Sequence, residues 1–461
     1  MKPLKQLALA AVLLSGLSGC MVGPKYQQRP ADPKVTYSGG LNSDTTDLVQ
    51  WTAFYDDPAL VELIQTTLDS NRTLWQAAAR VEEARLQAGA VKADLYPQLG
   101  FAATGGGGSA GPNARSQGSG VDGGFFEVMG RVNWEIDIWG RIRHSSRAAQ
   151  AQYFQQQYIR HAVQVSLVAE VAGNYFLLRD LDNRLVIARR TLVSRQENTR
   201  IITARFTEGW TSEVDKLQAI QQEQVAAAAI PSIERQIRQV ENALRVLQGL
   251  GPGPIERGRP NTEQQLTADP IPMGLPSQLL ERRPDIIAAE FELKRLTERA
   301  GAAEAERFPT LSLTGVLGFA SPELGTLLSG DAAVANGFGQ LAGPIFQWNQ
   351  RRNIAEAAKQ RILVTAAERD QTVLSAFADV DNSLEFYRTY TVENAARQTQ
   401  VEAARKQLEL SMARYNFGYT SYLEVIIAEN NLFSAEFEES ATRGQRLNSV
   451  VSLFRALGGG W

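Results

Sequence analysis

The sequence predicts an α+β membrane protein that cannot close on its own: a trimeric 12-stranded transmembrane β-barrel, four strands per chain, continued by an α-helical barrel in the aqueous compartment. Three observations carry that fold class. The chain repeats itself, it holds alternating segments of about thirteen residues, and each repeat contains a proline-free helical run of roughly sixty-five residues.

The internal repeat sets the frame for every local element. Ala93-Asp94-Leu95-Tyr96-Pro97-Gln98-Leu99 returns as Ala305-Glu306-Arg307-Phe308-Pro309-Thr310-Leu311. Ile138-Trp139-Gly140-Arg141 is echoed by Gln347-Trp348-Asn349-Gln350-Arg351. Arg205-Phe206-Thr207-Glu208-Gly209-Trp210-Thr211-Ser212 returns as Arg414-Tyr415-Asn416-Phe417-Gly418-Tyr419-Thr420-Ser421. All three recur in order at an offset of about 210 residues. This divides the chain into a leader (1–19), an N-terminal extended segment (20–57), a first repeat (58–250), a linker or equatorial region (251–283), a second repeat (284–457) and a short tail (458–461).

The leader has a charged start at Lys2 and Lys5, an apolar stretch from Leu7 to Leu14 too short to span a bilayer, and small residues before Cys20. Leu17-Ser18-Gly19-Cys20 resembles the bacterial lipobox, in which the cysteine becomes the acylated N-terminus; Met21 after it favours the outer membrane by the same resemblance. Beyond Cys20 there is no apolar run of roughly eighteen residues, so any membrane span must be a barrel.

Each repeat then has one grammar. A helical stretch (58–94, 284–306) ends at Tyr-Pro or Phe-Pro, because the residue before proline is pushed out of the α region. Two alternating segments follow. Leu311, Leu313, Gly315, Leu317 and Phe319 share an apolar face, with Val316 interrupting the other. Phe126, Val128, Gly130, Val132, Trp134, Ile136 and Ile138 face one way, against Glu127, Arg131, Asn133, Glu135 and Asp137. The partner of that segment, 335–347, is assigned by repeat analogy. Gly105 to Gly124 and Ser321 to Asn336 read as surface loops. The long runs 141–206 and 351–415 carry near-heptad stripes, Leu178, Leu181, Leu185, Ala188, Leu192 and Val373, Phe377, Val380, Leu384, Tyr387, Thr391. Each turns at its glycine, Gly209 or Gly418, and restarts at Thr211-Ser212 or Thr420-Ser421 into a return helix (212–248, 421–457). Pro231 predicts a kink in the first return helix.

Four strands cannot close a barrel, for which about eight is the lower limit. A dimer would give a barrel filled by its own side chains and a trimer an open lumen, so a trimeric conduit is the natural assembly.

Composition excludes other classes. With Lys+Arg 47 against Asp+Glu 50 the formal charge is −3, so nucleic acid is an unsuitable partner. One cysteine excludes an internal disulfide framework and every cysteine-rich metal site, and two histidines leave little for imidazole catalysis; His144 and His161 do not share a helix face at i, i+4, and no metal is expected. Gly107-Gly108-Ser109-Ala110-Gly111 and the G-x-G-x-x-G match at Gly106 to Gly111 lie in a glycine tract between strands, where neither opens a helix. No enzyme and no cofactor are expected.

The lipobox, the repeated aromatic-Pro pair, Gly274-Leu275-Pro276-Ser277-Gln278-Leu279-Leu280-Glu281-Arg282-Arg283-Pro284-Asp285-Ile286 and the end Ala456-Leu457-Gly458-Gly459-Gly460-Trp461 closely resemble TolC-like outer-membrane efflux lipoproteins of the NodT-like branch. The resemblance covers essentially the whole mature chain. It implies a lipid-anchored homotrimer in the outer membrane that extends into the periplasm. Its partners would be a periplasmic adaptor and an inner-membrane pump, usually of the RND type. It implies a duct for drugs or other small solutes, with a type I secretion duct as the alternative. By the same resemblance the helix tips gate the periplasmic entrance: Asp215 matches the gate acid and Tyr415 a gate tyrosine, so a Tyr415–Asp215 hydrogen bond is expected as a latch. The chain departs from the family pattern at Ile427, where many relatives carry an acid, and at Thr420, where some carry Arg. Glu424 or Glu429 is expected to supply the missing acid. A periplasmic adaptor or a structural coiled-coil lipoprotein would also carry long helices, but neither needs the alternating strands.

Overall fold

The computed structural model describes residues 21–27, 51–108, 123–264 and 282–459. A one-turn helix at Trp51–Phe54 precedes α1 (Pro58–Ser70), α2 (Arg72–Ala93), β1 (Gln98–Gly108), β2 (Gly123–Ile136), α3 (Arg141–Thr207) and α4 (Glu213–Leu247). The second half repeats the order with α5 (Pro284–Ala305), β3 (Thr310–Ser321), β4 (Ala333–Ala342), α6 (Gln350–Asn416) and α7 (Tyr422–Ala456). The long helices α3 and α6 have 67 residues each and the return helices α4 and α7 have 35 each, so length is conserved between the repeats to the residue. At 1.5 Å per residue, 67 residues extend about 100 Å. No helix among the described residues is long and apolar enough to cross a membrane.

Compactness divides the chain into two units, each drawing on both repeats. The first takes in the described residues 21–27 together with 80–157 and 288–370. Its centre is one antiparallel sheet in the order β1-β2-β3-β4. The register places Leu99 opposite Val132 and Val132 opposite Gly315, then Phe101, Gly130 and Leu317 in the next row of the same face. Asn133 pairs with Gln98 and Thr314, and Glu135 with Ser312, on the other face. The apolar side chains remain open: Leu99, Phe101, Leu317 and Leu341 are all at least two-thirds exposed. An apolar face of that kind on a sheet with two free edges needs a non-aqueous neighbour.

Three boundaries differ from the sequence reading, each for a local reason. Strand β2 stops at Ile136, before Ile138, because the Asp137 carboxylate turns to cap α3, accepting from the backbone N–H of Ile142 (3.1 Å) and Arg143 (2.8 Å). Strand β4 ends at Ala342, short of 347, where Pro344 cannot donate to a ladder and Gly343 lies against Pro309. The supposed loops are shorter than expected. Gly105 to Gly108 pair with Phe126 to Gly123, and Ala333 to Asn336 belong to β4. Backbone pairing across the hairpin offsets the low strand propensity of glycine there. At the base, Trp139 stacks on Phe308 at 4.7 Å and its indole N–H donates to the Pro309 carbonyl (2.8 Å), which fixes the aromatic-Pro corner. His144 is buried and structural: one ring nitrogen meets Glu298 (2.6 Å) and the other the Val22 carbonyl (3.2 Å).

The second unit takes in residues 158–287 and 371–461 with part of the N-terminal region. Its core carries the helical stripes: Leu178, Leu181, Ala188, Val373, Phe377, Val380 and Leu384 are buried, Leu185 and Tyr387 pack against them, and Thr391 is exposed where the stripe ends. Helix α4 continues through Pro231 without a break. Asn71 separates α1 from α2, capping α2 by accepting from Leu74 N–H (2.9 Å) while its amide donates to Leu247 O (2.8 Å). Asp57 is fully buried yet satisfied, accepting from Tyr175 Oη (2.7 Å), Gln264 Nε2 (2.7 Å) and the Arg259 N–H (2.9 Å). In the Arg-Arg-Pro-Asp stretch, Arg283 is bidentate to Asp285 and donates to the Ala456 carbonyl at the end of α7 (3.0 Å).

Candidate functional site: the paired helix turns

The two hairpin turns are built alike from the residues upward. In each, the long helix ends at a glycine in the left-handed region, Gly209 at φ 79° and Gly418 at φ 78°. A Cβ at either would meet nothing within 4 Å, so glycine is required there by backbone conformation and not by space. The following N–H closes the helix in both: Trp210 N donates to Arg205 O (2.8 Å) and Tyr419 N to Arg414 O (2.9 Å).

Six residues past each glycine stands an acid, and two past it a threonine. In the first turn Thr211 Oγ1 donates to Asp215 Oδ2 (2.7 Å), Asp215 N donates to Ser212 Oγ (3.1 Å) and Ser212 N returns to Asp215 Oδ2 (3.3 Å). This is a complete capping box. Burial alone would push the Asp215 carboxyl up, but the hydrogen bonds from Thr211 and Ser212 hold it below its ordinary value. In the second turn Thr420 Oγ1 donates to Glu424, Ser411 Oγ lies 3.3 Å from the same carboxylate, and Arg414 stands 3.5 Å away. The Thr420 bond leads in holding Glu424 below the usual carboxylate range. Ser421 makes no side-chain cap bond, and the Glu424 carboxylate is held by Thr420 and Ser411 instead.

The expected Tyr415–Asp215 latch is not made within the chain. Asp215 is occupied by its own turn, and the Tyr415 ring packs on Tyr422 at 5.4 Å and under the Arg205 guanidinium at 5.1 Å. Arg205 links the two hairpins at this end, also donating to Asn416 Oδ1 (3.1 Å). Arg414, its repeat counterpart, turns back on Glu424. Below the turns Ile202, Ala219, Tyr422, Val425 and Ile426 form a small core, while Ile427 is half exposed. Glu429 is not an exposed acid: it is 7% exposed, hydrogen-bonded by Asn198 and facing Arg195. Trp210, Phe417 and Tyr419 stand out at the turns, each more than three-quarters exposed. Cys20 and the residues of the Leu-Pro-Ser stretch lie outside the described residues.

An open, amphipathic antiparallel sheet joined to two matched helical hairpins with polar, charge-bearing turns defines one protomer of an outer-membrane channel with a helical extension. The chain belongs to the outer membrane efflux protein family, whose pattern it matches over residues 63–250 and 275–459. It is similar to the probable efflux pump outer membrane protein TtgC of Pseudomonas putida, 32% identical over all of this chain and 96% of that one. It is also similar to the probable outer membrane lipoprotein SilC of Salmonella typhimurium, 30% identical over 99% of each. The solved open state of the MtrE outer membrane channel of Neisseria gonorrhoeae superposes with a TM-score of 0.85 at 29% identity, covering 96% of this chain and 98% of that one. The protein is an outer-membrane efflux duct.

Proposed function

We propose that the duct works as a homotrimer, conducts drugs or other small solutes passively from periplasm to exterior, and is gated at the paired turns. The observation that carries the gate is the Thr-to-acid turn made twice at equivalent positions, with Arg205 crossing from one hairpin to Tyr415 and Asn416 of the other. Asp215, Glu424, Tyr415 and Ile427, with Gly209, Thr211, Ser212, Gly418, Thr420 and Ser421 shaping the turns, form the entrance. A periplasmic adaptor and an inner-membrane pump of the RND type deliver solute to it, because a duct supplies no energy of its own.

Cys20 carries the lipid. In support, Val22 N donates to Trp139 O (3.2 Å), so the segment just past the cysteine is tied to the strand end of β2 and α3, where an acyl chain would meet the membrane. The test of the gate is single-channel recording on the reconstituted protein. Arg205→Ala is expected to raise conductance while the trimer persists; unchanged conductance would show that the turns do not control the entrance. Cys20→Ser is expected to abolish palmitate incorporation, and continued labelling would exclude that residue as the anchor.

A further inference from the structure

Deeper in the second unit, Arg195 of α3 knits three helices together. Its guanidinium donates to Gln222 O of α4 (2.7 Å) and to Asn430 Oδ1 of α7 (2.7 Å), and lies over the Phe433 ring at 5.4 Å. It is 2% exposed. Beside it Glu429 of α7 accepts from Asn198 of α3 through one oxygen. The other carboxylate oxygen and Arg195 Nε face each other at 3.9 Å, and neither finds a hydrogen-bond partner among the described residues. The two residues line a cleft of about 180 Å³ together with Leu408, Leu432 and Phe433. The second repeat has no equivalent, since Gly209 and Gly418 align Arg195 with Ala404.

A buried donor and acceptor that oppose each other without touching are costly where they stand. A shift of about 1 Å between α7 and α3 would bring them to hydrogen-bond length, which gives the pair a second arrangement within easy reach. Resting on the gated-duct reading above, we propose that Arg195 and Glu429 form a proton-sensitive brace between the two hairpins: the split arrangement belongs to neutral Glu429, and ionisation drives the hairpins into a second register.

The electrostatic surroundings are consistent with this. Burial pushes the Glu429 carboxyl up, with Arg195 and the Asn198 bond opposing. A group whose pKa is raised in one arrangement favours that arrangement when protonated, so the split form is favoured in acid and lost as pH rises. The charged and titratable groups around it are Arg195 and Arg190 from α3, Tyr422 and Glu436 from α7 itself, and Arg405 from α6, the last joined with Arg190 to Glu436. Each unit of pKa difference between the arrangements moves their ratio about tenfold.

Single-channel conductance of the full-length protein in planar bilayers, followed as pH is raised from about 4 to about 8, tests the brace. Wild type is expected to show a transition above the ordinary carboxylate range, and Glu429→Gln to stay at the acid-limb conductance throughout. Asn198→Ala, which keeps both charges but removes a bond to the ionised form, is expected to move the transition to higher pH; it serves also if Glu429→Gln fails to assemble. A wild type with no such transition, or a Glu429→Gln channel that titrates like wild type, overturns the proposal. Failure to form any channel would instead count against the gated-duct reading.

Discussion

At the scale of single residues, the acid of the first turn is first of all a helix cap. Asp215 closes a capping box with Ser212 and takes the Thr211 hydroxyl, so Asp215→Ala removes two of the bonds that fix the start of α4 while leaving the Ser212 cap, and costs about 1 kcal/mol. The frayed turn is expected to raise single-channel conductance and lower thermal stability together. Asp215→Asn keeps a capping oxygen and should lie close to wild type in both measurements; an Asn variant as leaky as the Ala variant would mean that charge, not capping, holds the turn. How much of the site was legible follows from what each residue depends on. Gly209, Gly418 and the Thr-Ser pairs could be read directly, because chain reversal between helices demands a left-handed residue and then a cap. That Glu424 stands where Asp215 does was also legible, since each acid lies six residues past its glycine. The role of Arg205 is not legible in the sequence, since its reach to Asn416 and Tyr415 depends on tertiary packing. The burial of Glu429 was hidden for the same reason: Val425, Ile426 and Ala428 are buried around it, and only the neighbouring helix supplies Arg195 and Asn198.

At the scale of elements, the sheet has two chemically different faces and the helices one buried stripe each, and these make opposite predictions for similar substitutions. Leu317 lies on the apolar face in the row of Phe101 and Gly130, while Thr314 lies on the polar face, bonded to Asn133 (3.2 Å). Leu317→Arg places a charge on the face that meets lipid, at about 2 to 4 kcal/mol near mid-membrane, and is expected to cut the yield of assembled protein in the outer membrane. Thr314→Arg is expected to assemble normally and change conductance; equal yields for the two would sink the assignment of faces. On the helices, Leu178→Ala opens a cavity in the buried core and should cost about 2 to 5 kcal/mol in detergent unfolding. Periodicity made these elements readable, since a two-residue or heptad pattern is set by which face is buried and needs no knowledge of the partner. Their ends were less readable. Asp137 leaves the strand because it caps α3, Pro344 stops β4, and Gly105 to Gly108 stay in β1 only because β2 pairs with them.

At the scale of the whole molecule, the deciding fact is that one chain supplies a sheet of four strands with β1 and β4 at its edges. Exposed strand edges beside an open apolar face are unstable in water and in lipid, because unpaired backbone groups are costly in both. Since β1 and β4 run antiparallel to one another across an even number of strands, the edge of one copy can continue the ladder of the next, and closure is then a matter of copy number. Two copies would reach the lower limit of about eight strands and fill the interior with side chains; three would leave a lumen. A duct requires the lumen, and the matched hairpins of 67 and 35 residues then give a ring in which both repeats contribute equally. The mass of the detergent-solubilised protein is therefore expected to be that of three processed chains, with a compact species on unheated gels that converts to monomer on boiling. A two-chain mass with no ion conductance in bilayers would refute the open-lumen assembly. A three-chain mass without heat-sensitive mobility would show that the helices trimerise while the strands fail to close, and would move the membrane-spanning role away from β1 to β4.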